Sequence, residues 1–142
     1  MMKNKRQRIN TTAILLVGFV ILFIFSRVYF VKSEIIYDKK NSTHGTFYIK
    51  GDIVVIADDI VVKNNTSKDL NFYMYADVRE DKGLVIEEFA PACEKDTLTK
   101  QKYQIKAKTE STFTAYFKAK KGDKITKYDR RPPNDIKFEI VD

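Results

Sequence analysis

Leu70-Asn71-Phe72-Tyr73-Met74-Tyr75-Ala76-Asp77-Val78 is the stretch that decides the fold. Leu70, Phe72, Met74, Ala76 and Val78 alternate with Asn71, Tyr73, Tyr75 and Asp77. A period of two makes a half-buried β-strand, with the first set facing a core. The same period recurs on both sides of it. Upstream, Thr46 to Lys50 reads as a short first strand, and Gly51-Asp52 turns the chain. Ile53 to Lys63 is β-prone, but its apolar residues occupy both parities and Asp58-Asp59 interrupts it. That pattern predicts a bulge or two short strands. Asn64-Asn65-Thr66-Ser67-Lys68-Asp69 is a turn by composition.

Downstream, Arg79 to Gly83 turns and Leu84 to Phe89 should pair back, followed by a loop over residues 90–96. Tyr103, Ile105 and Ala107 form the next inward set, then Phe113, Ala115, Phe117 and Ala119. A polar loop from Lys120 to Asn134 leads to Ile136, Phe138 and Ile140. About seven short strands with no amphipathic helix between them predict a mainly β domain. The expected architecture is an immunoglobulin-like antiparallel β-sandwich, preceded by one N-terminal transmembrane helix. A small barrel is the alternative.

Two runs carry a family resemblance. Ile60-Val61-Val62-Lys63-Asn64-Asn65-Thr66-Ser67-Lys68-Asp69-Leu70 resembles the strand–turn–strand opening of small bacterial membrane-anchored, immunoglobulin-like surface domains of the DUF4352-like kind. Ile105-Lys106-Ala107-Lys108-Thr109-Glu110-Ser111-Thr112-Phe113 is similar to their second hairpin, with Lys-Thr-Glu where that family often has a glycine turn. The resemblance covers roughly residues 46–141. It implies a fold and a location at the cell surface, and transfers no active site.

The chain has 142 residues and a formal charge of +7, from 26 Lys+Arg and 19 Asp+Glu. Position gives that charge its meaning. Residues 1–33 hold six basic residues and no acidic one, so residues 34–142 are left at +1. Such an asymmetry points to a membrane and away from nucleic acid. Ile9 to Ser26 is free of charge, and apolarity resumes after Arg27 with Val28 to Val31. A helix over 9–31 would be roughly 34 Å long, enough for a hydrocarbon core of about 30 Å. Arg27 would snorkel near its outer end, beside the interfacial aromatics Tyr29 and Phe30.

Lys3, Lys5, Arg6 and Arg8 precede the helix and should keep the amino terminus in the cytoplasm. The expected layout is a basic cytoplasmic head at 1–8, a signal anchor at 9–31 and a tether at 32–45. An extracytoplasmic domain then fills 46–142. A cleaved signal peptide, cut near Ser33 to give a secreted protein, is the competing reading; Arg27, Lys32 and the length of the apolar run favour the anchor. One cysteine excludes an internal disulfide, and Lys, Asn and Ile are frequent. Both features suit an exported domain of a low-GC Gram-positive bacterium.

Catalytic chemistry is poorly supplied, and no enzyme is expected. His44, placed in the tether, and Cys93, placed in a loop, are the only residues of their kinds. A Cys–His pair needs hydrogen-bond reach, and a His/Cys metal site needs more ligands. Cys93 reads as a small, partly buried loop residue, with an intermolecular disulfide as the alternative. The pairs Asp58-Asp59, Glu80-Asp81 and Glu87-Glu88 point to opposite faces if they lie on strands, which disfavours a dyad. No calcium-loop motif is present, and no cofactor is expected.

Charge separation within the domain is more informative. Asp77 to Asp96 is net −4 and Lys118 to Arg131 net +5. Lys118, Lys120, Lys121, Lys124, Lys127, Arg130 and Arg131 are the candidate contacts for an anion or a partner. Arg130-Arg131-Pro132-Pro133 is the best local candidate. The plainer reading is an edge kept soluble by lysine. Tyr73 and Tyr75, on the outward face, could form a contact patch. These features together predict a non-enzymatic, membrane-anchored extracytoplasmic binding, adhesion or accessory module of a bacterial cell envelope. Its partners would be membrane lipid and another envelope protein or an anionic wall polymer, with no nucleic acid. A sensor or accessory subunit of a membrane complex is the alternative from another class.

Overall fold

The computed structural model describes residues 13–21, 34–124 and 130–142. The chain divides into two units, Met1–Ser33 and Glu34–Asp142. In the first, residues 13–21 are helical. No helix among the described residues is long and apolar enough to cross a membrane. The rest of the expected 9–31 span, the basic head with Lys3, Lys5, Arg6 and Arg8, and Lys127 lie outside the described residues.

The second unit is mainly β. Its strands are β1 (Ile35–Tyr37), β2 (Thr43–Lys50), β3 (Ile53–Asn64), β4 (Leu70–Asp77), β5 (Phe89–Cys93), β6 (Tyr103–Ile105), β7 (Glu110–Lys120) and β8 (Ile136–Val141). A short 3₁₀ turn covers Arg79–Asp81. All pairings between these strands are antiparallel. One hydrogen-bonded path runs from β3 through β7 and β5 to β4. β1 and β2 share the other edge of β3, one after the other. β8 takes the edge of β4 opposite β5 and β6. The sheet curls until it is nearly a barrel.

The nine-residue stretch around Phe72 behaves as its alternation predicts. Phe72, Met74, Ala76 and Val78 are buried, while Tyr73, Tyr75 and Asp77 are half-exposed. Phe72 stacks on Tyr103 with ring centroids 5.9 Å apart and meets Phe113 and Phe138 edge-on at 5.8 and 5.6 Å. This aromatic cluster joins four strands across the core. Ala115, Phe117 and Ala119 line the same interior from β7.

Four elements depart from the sequence expectation. Leu84 to Glu88, expected to pair back as a strand, form only isolated bridges at Val85, and the strand β5 begins at Phe89. Residues 34–45, read as a tether, contain β1 and the start of β2, both paired to β3. Ala90 to Cys93, read as a loop, belong to β5, where Ala90 and Ala92 face the core. β3 is a single strand of 12 residues, neither bulged nor split. Its mixed parity has a different cause: it is central, and both of its faces are covered. Val54, Ile56, Ile60 and Val62 join the core cluster. On the other face Val55 lies between Tyr48 and Lys118, and Ala57 between Thr46 and Tyr116. Those longer neighbours cover the short side chains. The irregularity falls instead in β2, between His44 and Thr46. Gly45 sits there because a Cβ would lie 2.8 Å from the Ala57 carbonyl oxygen.

Candidate functional site

The register of the curled sheet builds a groove on its outer face. Tyr75 is opposite Pro91, and Cys93 is opposite both Tyr116 and Lys100. Opposed residues share a face, so Pro91, Cys93 and Lys100 all point outward with Tyr75. Ile53 is opposite Lys120, and Val55 opposite Lys118. Ile53, Tyr75, Pro91, Cys93, Lys100, Lys118 and Lys120, with Glu87, Leu98 and Ala119, line a groove of about 410 Å³. Its floor is apolar: Ile53, Pro91, Cys93 and Leu98. Lysines stand on two sides of that floor. Lys118 and Lys120 rise from β7. Lys100 lies across β5, with its Nζ 4.0 Å from the Tyr73 ring centroid and 4.9 Å from that of Tyr75.

The rim is partly organised by internal contacts. Lys100 Nζ donates to Glu139 at 2.9 Å, and the Tyr75 hydroxyl donates to the same carboxylate at 2.6 Å. These two hydrogen bonds, with the tyrosine's first in size, hold Glu139 below its ordinary carboxylate range. Glu87 accepts from the Lys120 backbone N–H at 2.8 Å. Burial pushes the Cys93 thiol up, with the Lys118 charge opposing. Cys93 is therefore a buried thiol under the groove on β5, correcting the loop placement, and not an activated nucleophile.

A second concavity of about 400 Å³ is lined by Asp77, Glu80, Asp81, Arg130, Arg131, Pro132, Pro133 and Asn134. Here the acidic and basic stretches of the sequence meet. Arg130 donates to Asp81 at 2.8 Å. Its guanidinium lies 5.1 Å from the Phe47 ring centroid, on β2. The Tyr37 hydroxyl, on β1, donates to the Pro133 carbonyl at 2.8 Å, and Lys39 donates to Asn134. Burial raises Tyr37 to about 12. The segment 130–134 thus straps the first edge of the curled sheet, β1 and β2, to the chain entering β8. Two prolines suit a strap, since they lack the N–H that would extend a ladder.

Beneath the strap lies a charged centre that sequence reasoning missed. Asp58 is 2 % exposed and faces inward from β3. Its Oδ1 shares a 2.5 Å hydrogen bond with His44 Nδ1. Burial pushes the Asp58 carboxyl up, while the His44 hydrogen bond, the charges of His44 and Arg130, and the Gly45 N–H pull it back. Only 8 % of the Arg130 side chain is exposed, yet its Nε and Nη1 have no hydrogen-bond partner. The signal was present: an aspartate at even parity among Val54, Ile56, Ile60 and Val62 must find a buried partner.

The structure therefore scatters the predicted basic contacts. Lys118 and Lys120 enter the groove. Lys121 and Lys124 sit on an exposed turn, where the Lys124 N–H bonds to the Gly83 carbonyl at 2.9 Å. Arg130 is committed to the strap, which removes it from a free anion-binding surface, and Arg131 is exposed beside it. Among the described residues no group of three or more His, Cys, Asp or Glu is arranged to hold a metal. Comparisons with protein families, with curated proteins and with solved structures return no match to this chain.

Proposed function

We propose that the chain is a non-enzymatic binding, adhesion or accessory module of a bacterial cell envelope, anchored by its amino-terminal segment. Its domain would be displayed on the outer side of the membrane. The observation that carries the binding role is the outer-face groove, apolar in its floor and flanked by Lys118, Lys120 and Lys100. A concave, mostly apolar site with a few placed charges is the general form of a ligand site. The charge-free run Ile9–Ser26 behind a basic head supports the anchoring. The resemblance to small immunoglobulin-like surface domains supports the same location.

In this reading the curled sheet is an immunoglobulin-like sandwich in which β5 passes between the layers. Phe89 to Pro91 pair with β4, and Ala92 and Cys93 pair with β7. Cell fractionation with external protease tests the location. The full-length chain should sediment with membranes, and protease added to intact protoplasts should remove residues 46–142. A chain recovered in the cytosolic fraction and protected from protease would refute the reading. A mature chain in the medium that begins near Ser33 would replace the anchor with secretion.

A further inference from the structure

β8 is an outer edge of the curled sheet. It bonds to β4, and among the described residues no other strand or loop backbone bonds to its far side. The Asp77 N–H donates to the Asp135 carbonyl at 2.9 Å. Residues 137, 139 and 141 therefore turn their backbone groups toward β4 as well, following the register. Phe138 and Ile140 turn theirs outward, unpaired, while the Ile136 N–H is held by the Asp135 side chain at 2.9 Å.

The edge reads Ile136-Lys137-Phe138-Glu139-Ile140: apolar, positive, aromatic, negative, apolar. Lys137 and Glu139 share the outer face with Tyr75 and Tyr73. Ile140 has the inward parity of Ile136 and Phe138, yet it is 41 % exposed. This pattern is its own complement. With a second copy laid antiparallel about Phe138, Lys137 meets the copy's Glu139, Glu139 meets its Lys137, and Ile140 meets its Ile136. The charged pairs fall at non-hydrogen-bonded positions, where facing side chains come closest. Shifting the register by two sets Lys137 against Lys137 or Glu139 against Glu139, and an in-register parallel pairing sets like beside like. Charge guards an edge when it repels a second copy; this alternation attracts one. Lys137 has no ion pair among the described residues, and its ammonium lies 3.5 Å from the Phe89 ring centroid. Glu139 accepts from Lys100 and Tyr75, both through Oε2. The other long edge, β2, carries one lysine, Lys50, and no such alternation.

We infer that two copies of this chain pair antiparallel along β8 about a two-fold axis at Phe138, joining their sheets into one. The inference does not depend on where the chain resides. Six residues of strand span roughly 20 Å, and an edge of that length buries less than a standard interface of about 1,600 Å². The dimer is therefore weak.

Sedimentation equilibrium of the full-length chain in an uncharged detergent, at up to about 100 µM, tests it. The native chain should dimerise. Lys137→Glu and Glu139→Lys should each weaken association about tenfold or more, because each places like charges opposite one another at two symmetric positions. An equimolar mixture of the two variants should recover association, since both pairs become opposite in sign again. That recovery shows that both variants are folded. A native chain that stays monomeric overturns the inference and leaves the edge to a strand of another protein. Association indifferent to both substitutions overturns it too, by placing the contact elsewhere, as does a mixture no better than its components. Disulfide capture checks the register independently. Lys137→Cys chains mixed with Glu139→Cys chains should cross-link at least about tenfold faster than either variant alone, because only the mixed pair faces directly. Cys93 is buried and does not compete. Equal rates for the mixture and the separate variants would refute the pairing.

Discussion

Two buried polar centres hold this domain, and they are built on opposite principles. At one end of β3, Asn64 is 1 % exposed and neutral. Its Nδ2 donates to the carbonyls of Lys68 and Lys106 at 2.8 and 3.1 Å. Its Oδ1 accepts from the Thr66 N–H and hydroxyl at 2.9 and 2.8 Å. One side chain thereby fixes both the β3–β4 turn and the chain leaving β6, with every hydrogen-bonding position filled. Six residues earlier, Asp58 is an ionisable group paired to His44 and overlooked by an arginine with two unmatched nitrogens. A satisfied neutral amide locks a fold independently of pH. A buried ionisable centre makes stability depend on pH.

Substitution at each centre breaks the comparison in a different way. Arg130→Ala should have the largest effect, about 3–5 kcal/mol at neutral pH, because it breaks the Arg130–Asp81 ion pair beneath the strap and removes one of the two charges that draw the Asp58 carboxyl down. Urea unfolding of the full-length chain measures it. A loss under about 1 kcal/mol would show that the strap contributes little to closing the sheet. The penalty should shrink on acidification, as the Asp58 carboxyl takes up its proton.

Asn64→Ala should come next, at about 2–3 kcal/mol, the cost of leaving buried backbone groups unpaired. Its penalty should stay level between pH 5 and 8, since no titrating group is removed. A penalty that changes steeply over that range would erase the distinction between the two centres.

The smallest effect is a slope. Burial raises the Asp58 carboxyl above its unfolded value, so the folded chain binds that proton more tightly than the unfolded chain. Linkage then makes its contribution most favourable at low pH and loses it as pH rises through the folded value. Asp69, Asp77 and Glu139 are lowered, chiefly by hydrogen bonds from Lys106, Arg79 and Tyr75, and they pull the other way. Subtracting the unfolding free energy of Asp58→Asn from that of the native chain isolates the Asp58 contribution. The difference should fall as pH increases from 4; a difference that rises would reverse the assigned sign.

The contrast between the centres also explains what could be read from the sequence. Asn64 sits in a turn whose composition announces it, and its partners lie nearby or in the facing turn. The strands around Phe72, Ile105 and Phe117 were legible because alternation is a local consequence of the pleat. The tether and the loop at 90–93 were misread for one shared reason. Three residues at Ile35–Tyr37, or an Ala-Pro-Ala-Cys run, carry too short a pattern to show a period. Their strand character comes from the neighbour that pairs with them. His44 and Asp58 are 14 residues apart and meet because β2 folds back on β3. Arg130 reaches that pair from 72 residues beyond Asp58 in the chain.

The sequence by itself determined the period of the strands, the inward set of β4 and β7, and the concentration of excess charge in the first 33 residues. Each is a property of neighbouring side chains or of composition. Tertiary structure alone decided the surroundings of the basic stretch from Lys118 to Arg131. Register turned Lys118 and Lys120 outward onto the groove, while closure of the sheet drew Arg130 inward to Asp81. Charge along a chain is additive and can be counted, but the dielectric and the partners around each charge are set by which strands lie beside it.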